Sequence, residues 1–250
     1  MGRDTTRLQL ALKAEGFDPK GVDGIRGPNT REALRQWSDQ AATQLHGIDV
    51  SHYQTKIDWE ACKKAGVSFV AIRASVSVYL DKLFLQHSAG AKAAGIPRAA
   101  YHFLAPWQDG IKQAQLIASR LAQNGTELPV VLDVEAVAPS AKKGEAPPTP
   151  VSRAQLIDRA GACLHEIEKL TDRKPIFYSY SAFVRQYRLW EAFGGYPLWI
   201  ADYREGPPTV PVEWPWVFHQ YAGDGGRQVG VTGPCDLNRS KHTIEQLAAL

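Results

Sequence analysis

The chain has 250 residues, 44% of them hydrophobic and 22% charged, with a net charge of +3. That length and balance describe a soluble globular protein with room for one large domain, or one domain plus a small module. So weak a charge leaves no electrostatic footprint for nucleic acid, and no run of eighteen apolar residues offers a membrane span. Three cysteines, Cys62, Cys163 and Cys235, lie far apart with no C-x-x-C pair. They are expected to be free thiols in a reducing compartment, not a disulfide framework.

In chain order, residues 5–17 carry Leu8, Ala11 and Leu12 at helical spacing, with Thr5 or Thr6 as N-cap and Gly16 as a stop. The turn-rich segment Gly21–Thr30 leads to a second short helix with Ala33, Leu34 and Trp37 on one side. The apolar pattern lapses over Ser38–Gln44, so residues 1–43 are expected to form a helical segment and 44–250 the main domain. Fewer than about 40 residues rarely fold alone, so the segment is expected to dock on the main domain.

From His46 onward strand and helix signals alternate. Strands are expected at His46–Val50, Ser68–Ala74, Ala99–Leu104, Leu128–Glu135, Lys174–Tyr178 and Pro197–Ala201. Helices are expected at Asp58–Ala65, at Lys82–Ala94, along the Ile111, Ala114, Ile117 and Leu121 face, and after Ser152, where Gln155 completes a capping box. A further helical segment surrounds Trp190. Helices then thin out, and Trp216–Tyr221 and Val229–Leu237 read as strands joined by a turn at Gly223–Gly226. About eight strands in strand–helix units predict an α/β fold, a parallel sheet closed as a β/α barrel. An open doubly wound sheet is the alternative, but no G-x-G-x-x-G follows the first strand.

Within Leu128–Glu135, Val130, Val131 and Leu132 suit a strand buried on both faces. Asp133 and Glu135 come next, separated by one residue. Side chains at i and i+2 of a strand point the same way, roughly 6–7 Å apart. Two carboxylates beside an apolar core are costly if both are charged, so one ionises while the other keeps its proton. That division of labour suits glycoside hydrolysis. Two solvated acids at a strand end suit an isolated D-x-E equally well, and the rest of the chain decides. Asp49, Tyr101, Asp133, Glu135, Tyr178, Asp202, Gln220 and Asp236 all fall at or near strand C-terminal ends, where barrel chemistry gathers.

Several segments together resemble the family 25 glycoside hydrolases, the Chalaropsis-type lysozymes or muramidases. They are Gly47–Ser51, Ile57–Trp59, Phe69–Ala74, Ala94–Pro97, Tyr101–Phe103, Leu132–Glu135, Pro197–Ala201 and Cys235–Asn238, in the family's order across about 46–240. The resemblance implies a flattened β/α barrel with few helices between its last strands. It also implies cleavage of the β-1,4 bond between N-acetylmuramic acid and N-acetylglucosamine. Matched to its motifs, Glu135 is the general acid, Asp133 the carboxylate that orients or stabilises the substrate's acetamido group, and Asp49 and Asp236 complete the acidic cluster. A structural alternative pairs Asp49 and Asp236 with Arg73 or Arg239. Three carboxylates near Glu135 would raise its pKa. A single-strand spacing leaves Asp133 poorly placed for backside attack, so the acetamide is the expected nucleophile. Tyr53, Tyr101, Phe103, Tyr178, Trp199 and Tyr221 lie near the same ends, and Tyr101, Tyr178 and Trp199 fall in matched segments and are expected to bind substrate. Gln220 is a candidate partner for the acetamido group.

Residues 8–37 also resemble part of a peptidoglycan-binding module: an L-Q-x-x-L helix, a V-D-G-x-x-G-P-x-T turn and an A-L-x-x-W helix. The second D-G repeat and third helix are missing, so this segment either binds wall or only docks. Two departures from family 25 stand out. Ser75-Val76-Ser77 replaces Thr-Glu-Gly, so an acid is absent at Val76, and Tyr53 replaces a common tryptophan. The loop Ala136–Pro150 is expected as a lid, a substrate-gripping rim or a plain spacer beside the cleft.

Seven histidines show no H-x-H, H-x-x-x-H or H-E-x-x-H spacing, so neither metal nor other cofactor is expected. That argues against a metal-dependent sugar deacetylase. The intact acids argue against a non-catalytic wall-binding barrel, and the absence of G-x-S-x-G against a serine hydrolase. Residues 1–7 lack the apolar core of a secretory signal. The expectation is a monomeric phage endolysin made in the cytoplasm, acting on peptidoglycan glycan strands after release, with neither nucleic acid nor membrane as partner.

Overall fold

The computed structural model describes residues 2–140, 148–211 and 214–250. Two helices come first, α1 (Gly2–Ala14) and α2 (Pro28–Ala41). They are followed by β1 (Leu45–Val50), α3 (Trp59–Lys64), β2 (Val67–Val76), β3 (Tyr79–Leu80), α4 (Phe84–Ala93), β4 (Arg98–Phe103) and α5 (Gly110–Leu121). Then come β5 (Val131–Asp133), α6 (Arg153–Thr171), β6 (Ile176–Tyr180), α7 (Ser181–Tyr187), α8 (Trp190–Phe193), β7 (Leu198–Ala201), β8 (Trp216–Ala222), β9 (Asp236–Ser240) and α9 (Ile244–Ala248). The sheet order β1-β9-β8-β7-β6-β5-β4-β2 closes through a β1–β2 pairing, and β3 folds back on β2 outside the ring.

Strand alternation sorts the apolar residues into two layers. Phe69, Ala71, Ala99, Val131, Ile176, Tyr178, Trp199 and Phe218 fill the barrel interior. Their neighbours Val70, Ile72, Ala100, Leu132, Phe177, Leu198 and Ile200 face outward and pack with Phe84, Ile117, Leu164 and Ile167 of the helices. Each such aliphatic side chain, fully buried, contributes about 1.5–3 kcal/mol. Gly47 faces inward in β1, and a Cβ there would meet the Phe69 ring at 2.3 Å. Leu247 of α9 joins the interior cluster, and Arg173 donates to the Ala248 carbonyl at 2.7 Å, fixing that helix on the barrel. Local signals behave as expected. Asp58 caps α3 by accepting from the Ala61 N–H, and Ser152 with Gln155 forms the capping box of α6.

The sheet is not wholly parallel. β9 runs antiparallel to both of its neighbours, β8 and β1. The strand expected over Val229–Leu237 begins only at Asp236. Gly230 and Gly233 have φ of +95° and +91°, which breaks extended backbone, and the Gly230 carbonyl instead accepts from Asp58 N–H at 2.7 Å. β3 and α9 have no counterpart among the expected elements. Two-residue strands and five-residue helices carry too little periodicity to read. α2 extends to Ala41, beyond the start of the segment expected as the boundary. In the expected loop Ala136–Pro150, residues 141–147 lie outside the described residues. Its base is closed by a Val151 N–H to Val137 carbonyl bond of 2.8 Å.

Residues 2–41 lie against the barrel. Leu8, Leu12, Ala33, Leu34, Trp37 and Ala41 form a small core of their own with Phe17 beside it. Gln9 ties the intervening turn together, donating to Asp23, Ile25 and Thr30 and accepting from the Gly24 N–H. Attachment to the barrel is mainly polar and aromatic. Arg7 donates to Thr209 and the Glu205 carbonyl, Arg26 pairs with Glu205 at 2.8 Å, and Glu15 accepts from the Trp216 indole at 2.8 Å.

Candidate active site

The C-terminal ends of the parallel strands surround a cleft of about 350 Å³. Asp49 near the end of β1, Asp133 at the end of β5, Glu135 two residues beyond it, and Asp236 all line it. Asp236 reaches this face by a different route from the others. It is the first residue of the antiparallel β9, whose N-terminal end meets the C-terminal end of β1, and it pairs in register with Asp49. β5 stops at Asp133, so Glu135 is not on a strand as expected. The backbone stays fixed nonetheless, because Val134 donates to the Tyr178 carbonyl at 2.9 Å and accepts from the Ser179 hydroxyl at 2.7 Å. Those bonds hold Glu135 on the cleft side.

The four acids are held by their surroundings in distinct ways. Asp49 Oδ2 accepts from Asn238 at 2.7 Å and from Gln220 at 2.8 Å. Burial pushes its carboxyl up while the Asn238 and Gln220 amides pull the other way. Asp236 rises to about 8, through burial first and then the charge of Asp49. Asp133 is pushed well above the ordinary carboxylate range by burial, then by Glu135 and Asp49. Its Oδ1 is buried with no hydrogen-bond partner among the described residues. Glu135 is raised by burial and by Asp49, and is only partly buried, so it can exchange its proton with water. Upward pressure thus falls on Asp133 as well as on Glu135.

The aromatic residues divide. Tyr53, Tyr101, Phe103, Tyr178 and Trp199 line the cleft, whereas Tyr221 lies outside it against Arg239 on the barrel's outer wall. Tyr53 is 72% exposed at the rim, with the Arg73 guanidinium over its ring at 5.4 Å and the His52 ring beside it at 4.3 Å, and its exposed surface can stack on a sugar face. Trp199 forms buried floor: its ring meets Tyr178 edge-on at 4.9 Å and its indole donates to Asn238 at 2.9 Å. Gln220 reaches the cleft, but its amide is already committed. It donates to Asp49 and Asp236 and accepts from Tyr178 at 2.9 Å and Tyr203 at 2.7 Å. It therefore positions the acids and leaves no free group for an acetamide. Asp202 is also diverted. Burial would raise its carboxyl, but Arg204 and the Thr209 N–H outweigh that and hold it at about 2, away from the cleft.

The structural alternative for Asp49 and Asp236 does not hold. Arg73 pairs with the buried Asp81 at 2.9 Å and contacts His52, while Arg239 lies between the rings of Trp37 and Tyr221. No group of His, Cys, Asp and Glu among the described residues is arranged to hold a metal ion. The three cysteines are buried free thiols.

With this geometry, the comparisons with known proteins are decisive. The model of glycosyl hydrolases family 25 matches residues 48–230. The chain belongs to that family. Lysozyme M1 of Streptomyces globisporus is 34% identical to it across 82% of this chain and 71% of its own length. The crystal structure of the lysozyme from Streptomyces coelicolor is 32% identical and superposes with a TM-score of 0.70, covering 83% of this chain and 97% of that one. The catalytic domain of the endolysin from bacteriophage P40 of Listeria monocytogenes shares the fold at 22% identity, with a TM-score of 0.66 over 83% of this chain and 98% of that one.

Three residues of this family 25 glycoside hydrolase have no counterpart among the site residues expected from sequence. Asn238 holds Asp49 and Trp199 together, Tyr203 fixes Gln220, and Asp224 adds a further carboxylate to the cleft lining. Asn238 is accessible in principle, since it stands at i+2 from Asp236 and so shares its face. Tyr203 and Asp224 lie on connections after β7 and β8, where no period marks a side chain's direction.

Proposed function

We propose that the chain is a muramidase that hydrolyses the β-1,4 bond between N-acetylmuramic acid and N-acetylglucosamine in peptidoglycan, with Glu135 as general acid. The observation that carries this reading is the convergence of Asp49, Asp133, Glu135 and Asp236 on one cleft of a family 25 barrel. Glu135, raised and partly exposed, protonates the leaving glycosidic oxygen. The substrate's acetamido carbonyl oxygen attacks the anomeric carbon as that bond breaks. Water then opens the resulting ring, giving its proton back to Glu135. Asp133 Oδ1, buried without a donor, is a waiting acceptor for the acetamido N–H. Such a bond would offset the cost of leaving that oxygen unpaired, about 1–3 kcal/mol. Asp49 keeps the electrostatic pressure on the pair.

The biological role we propose is that of a phage endolysin: a monomer that reaches the wall after release from the cell that makes it. The fusion of wall-module-like helices to a muramidase barrel supports this. The test is digestion of purified peptidoglycan by wild type and by Glu135→Gln, with mass analysis of new reducing ends. N-Acetylmuramic acid ends, and a loss of at least about a hundredfold in the variant (about 2.7 kcal/mol of barrier), are expected. N-Acetylglucosamine ends would reassign the bond, and unchanged activity in Glu135→Gln would remove it as the acid.

A further inference from the structure

A second cavity, of about 420 Å³, opens on the outer wall of the barrel where α2 meets β1, β8 and β9. Trp37, Gln44, His46, Tyr221 and Arg239 line it. Strand alternation turns Asn238 inward to Asp49 and sends Arg239 outward into this space. The Arg239 guanidinium lies 3.9 Å from the Tyr221 ring centroid and 5.2 Å from that of Trp37. Among the described residues no carboxylate pairs with it, and its Nε is buried without an acceptor. Burial lowers its pKa, with only the Tyr221 hydroxyl acting to raise it. The Trp37 indole N–H and Gln44 Oε1 are likewise buried without partners. The catalytic cleft has one such orphaned atom, Asp133 Oδ1, whereas this cavity has three. Those three atoms lie beneath the cavity lining, whereas the terminal Nη groups of the partly exposed Arg239 donate to no protein acceptor among the described residues and are left for a ligand.

We propose that this cavity is a second wall-binding site, which takes a carboxylate of the peptidoglycan onto Arg239. A planar cation framed by two aromatic faces suits a planar carboxylate, held by paired N–H donors. The same aromatic faces suit the ring of an attached amino sugar. The inference rests on the muramidase reading for its choice of ligand. It adds a site formed jointly by the N-terminal helices and the barrel, which neither part contains alone. The carboxylate can come from the lactyl group of N-acetylmuramic acid or from the stem peptide, and the probes separate the two.

The experiment follows the indole N–H resonances of ¹⁵N-tryptophan-labelled full-length Glu135→Gln during titration. The probes are the N-acetylglucosamine–N-acetylmuramic acid disaccharide, the same disaccharide carrying its stem peptide, and neutral chitobiose. The Trp37 signal should shift with a carboxylate probe and stay still with chitobiose, a contrast that needs no change at the site itself. Adding Arg239→Gln should weaken the Trp37 response about tenfold or more. A shift with the peptide-free disaccharide assigns the lactyl carboxylate, and a shift only with the stem peptide assigns the peptide. A Trp37 signal that is silent, or that responds equally to chitobiose or in the Arg239→Gln background, overturns the proposal. Trp199, on the cleft floor, reports on the other reading. If Trp199 responds and Trp37 does not, this inference fails alone; if only Trp37 responds, the reading of the cleft is the one in difficulty.

Discussion

The two halves of the barrel cover their outer faces by different means. From β1 to β6, helices α3 to α8 alternate with the strands and seal them with apolar contacts such as Phe84, Ile117, Leu164 and Phe193. Among the described residues no helix lies between β7 and β8 or between β8 and β9, and the outward residues Trp216, Arg239 and Lys241 meet the N-terminal segment instead. That second cover has its own core, separate from the barrel's, and grips through Glu15, Arg7, Arg26 and Trp37. An apolar seal tolerates small shifts, because dispersion and the hydrophobic effect are non-directional. A polar and aromatic grip depends on a few groups with fixed geometry. The helix-poor side is thus where one substitution can loosen a whole segment.

The sharpest test is Trp216→Ala set beside Phe84→Ala. Both remove a fully buried aromatic residue, and each should cost about 3–5 kcal/mol in denaturant unfolding. Only Trp216→Ala should also expose residues 2–41 to limited proteolysis, since Trp216 is the partner of Glu15. Equal release of the segment by Phe84→Ala would erase the contrast between the halves. Gly47→Ala comes next, at about 1–3 kcal/mol, because the new methyl would press on the Phe69 ring inside the barrel. It should leave the N-terminal segment protected. Glu15→Ala removes the acceptor of the Trp216 indole and the partner of Lys241. A loss near 1 kcal/mol is expected, with faster proteolysis of α1 and an unchanged barrel.

The same contrast explains what the sequence discloses. The parallel strands and their helices carry strong periods and capping residues, so Ser68–Ala74, Ala99–Leu104 and the Ser152 capping box are legible from one chain. The acids Asp49, Asp133, Glu135 and Asp236 are legible too, because they sit at strand ends within motif-bearing segments. The helix-poor side is less so. The connection into β9 is set by Gly230 and Gly233 at positive φ, and its antiparallel course has no local signature. Gln220 illustrates the limit at the site. Its place in the cleft comes from its strand, but its four partners, Asp49, Asp236, Tyr178 and Tyr203, come from four different segments. Only closure of the barrel brings them together, and that closure turns a candidate substrate ligand into a positioning residue.

The last expected effect is a slope. Asp236 holds its proton up to about pH 8 in the folded chain, through burial and the neighbouring Asp49, whereas an unfolded aspartate loses it near 3.8. Between those two values the native state binds more protons than the unfolded state, so stability must fall as pH rises through the window. Asp236→Asn removes that titration and keeps a polar group against Gln220. The variant should therefore lose less thermal stability than wild type between about pH 5 and pH 8, while the two respond alike below about pH 4. Asp133 and Glu135, also raised, retain their own contributions, so the slope should become shallower without vanishing. An unaltered slope would mean that Asp236 is ionised throughout. The proton of the helix-poor edge would then have to reside on Asp49, its register partner across the β1–β9 pair.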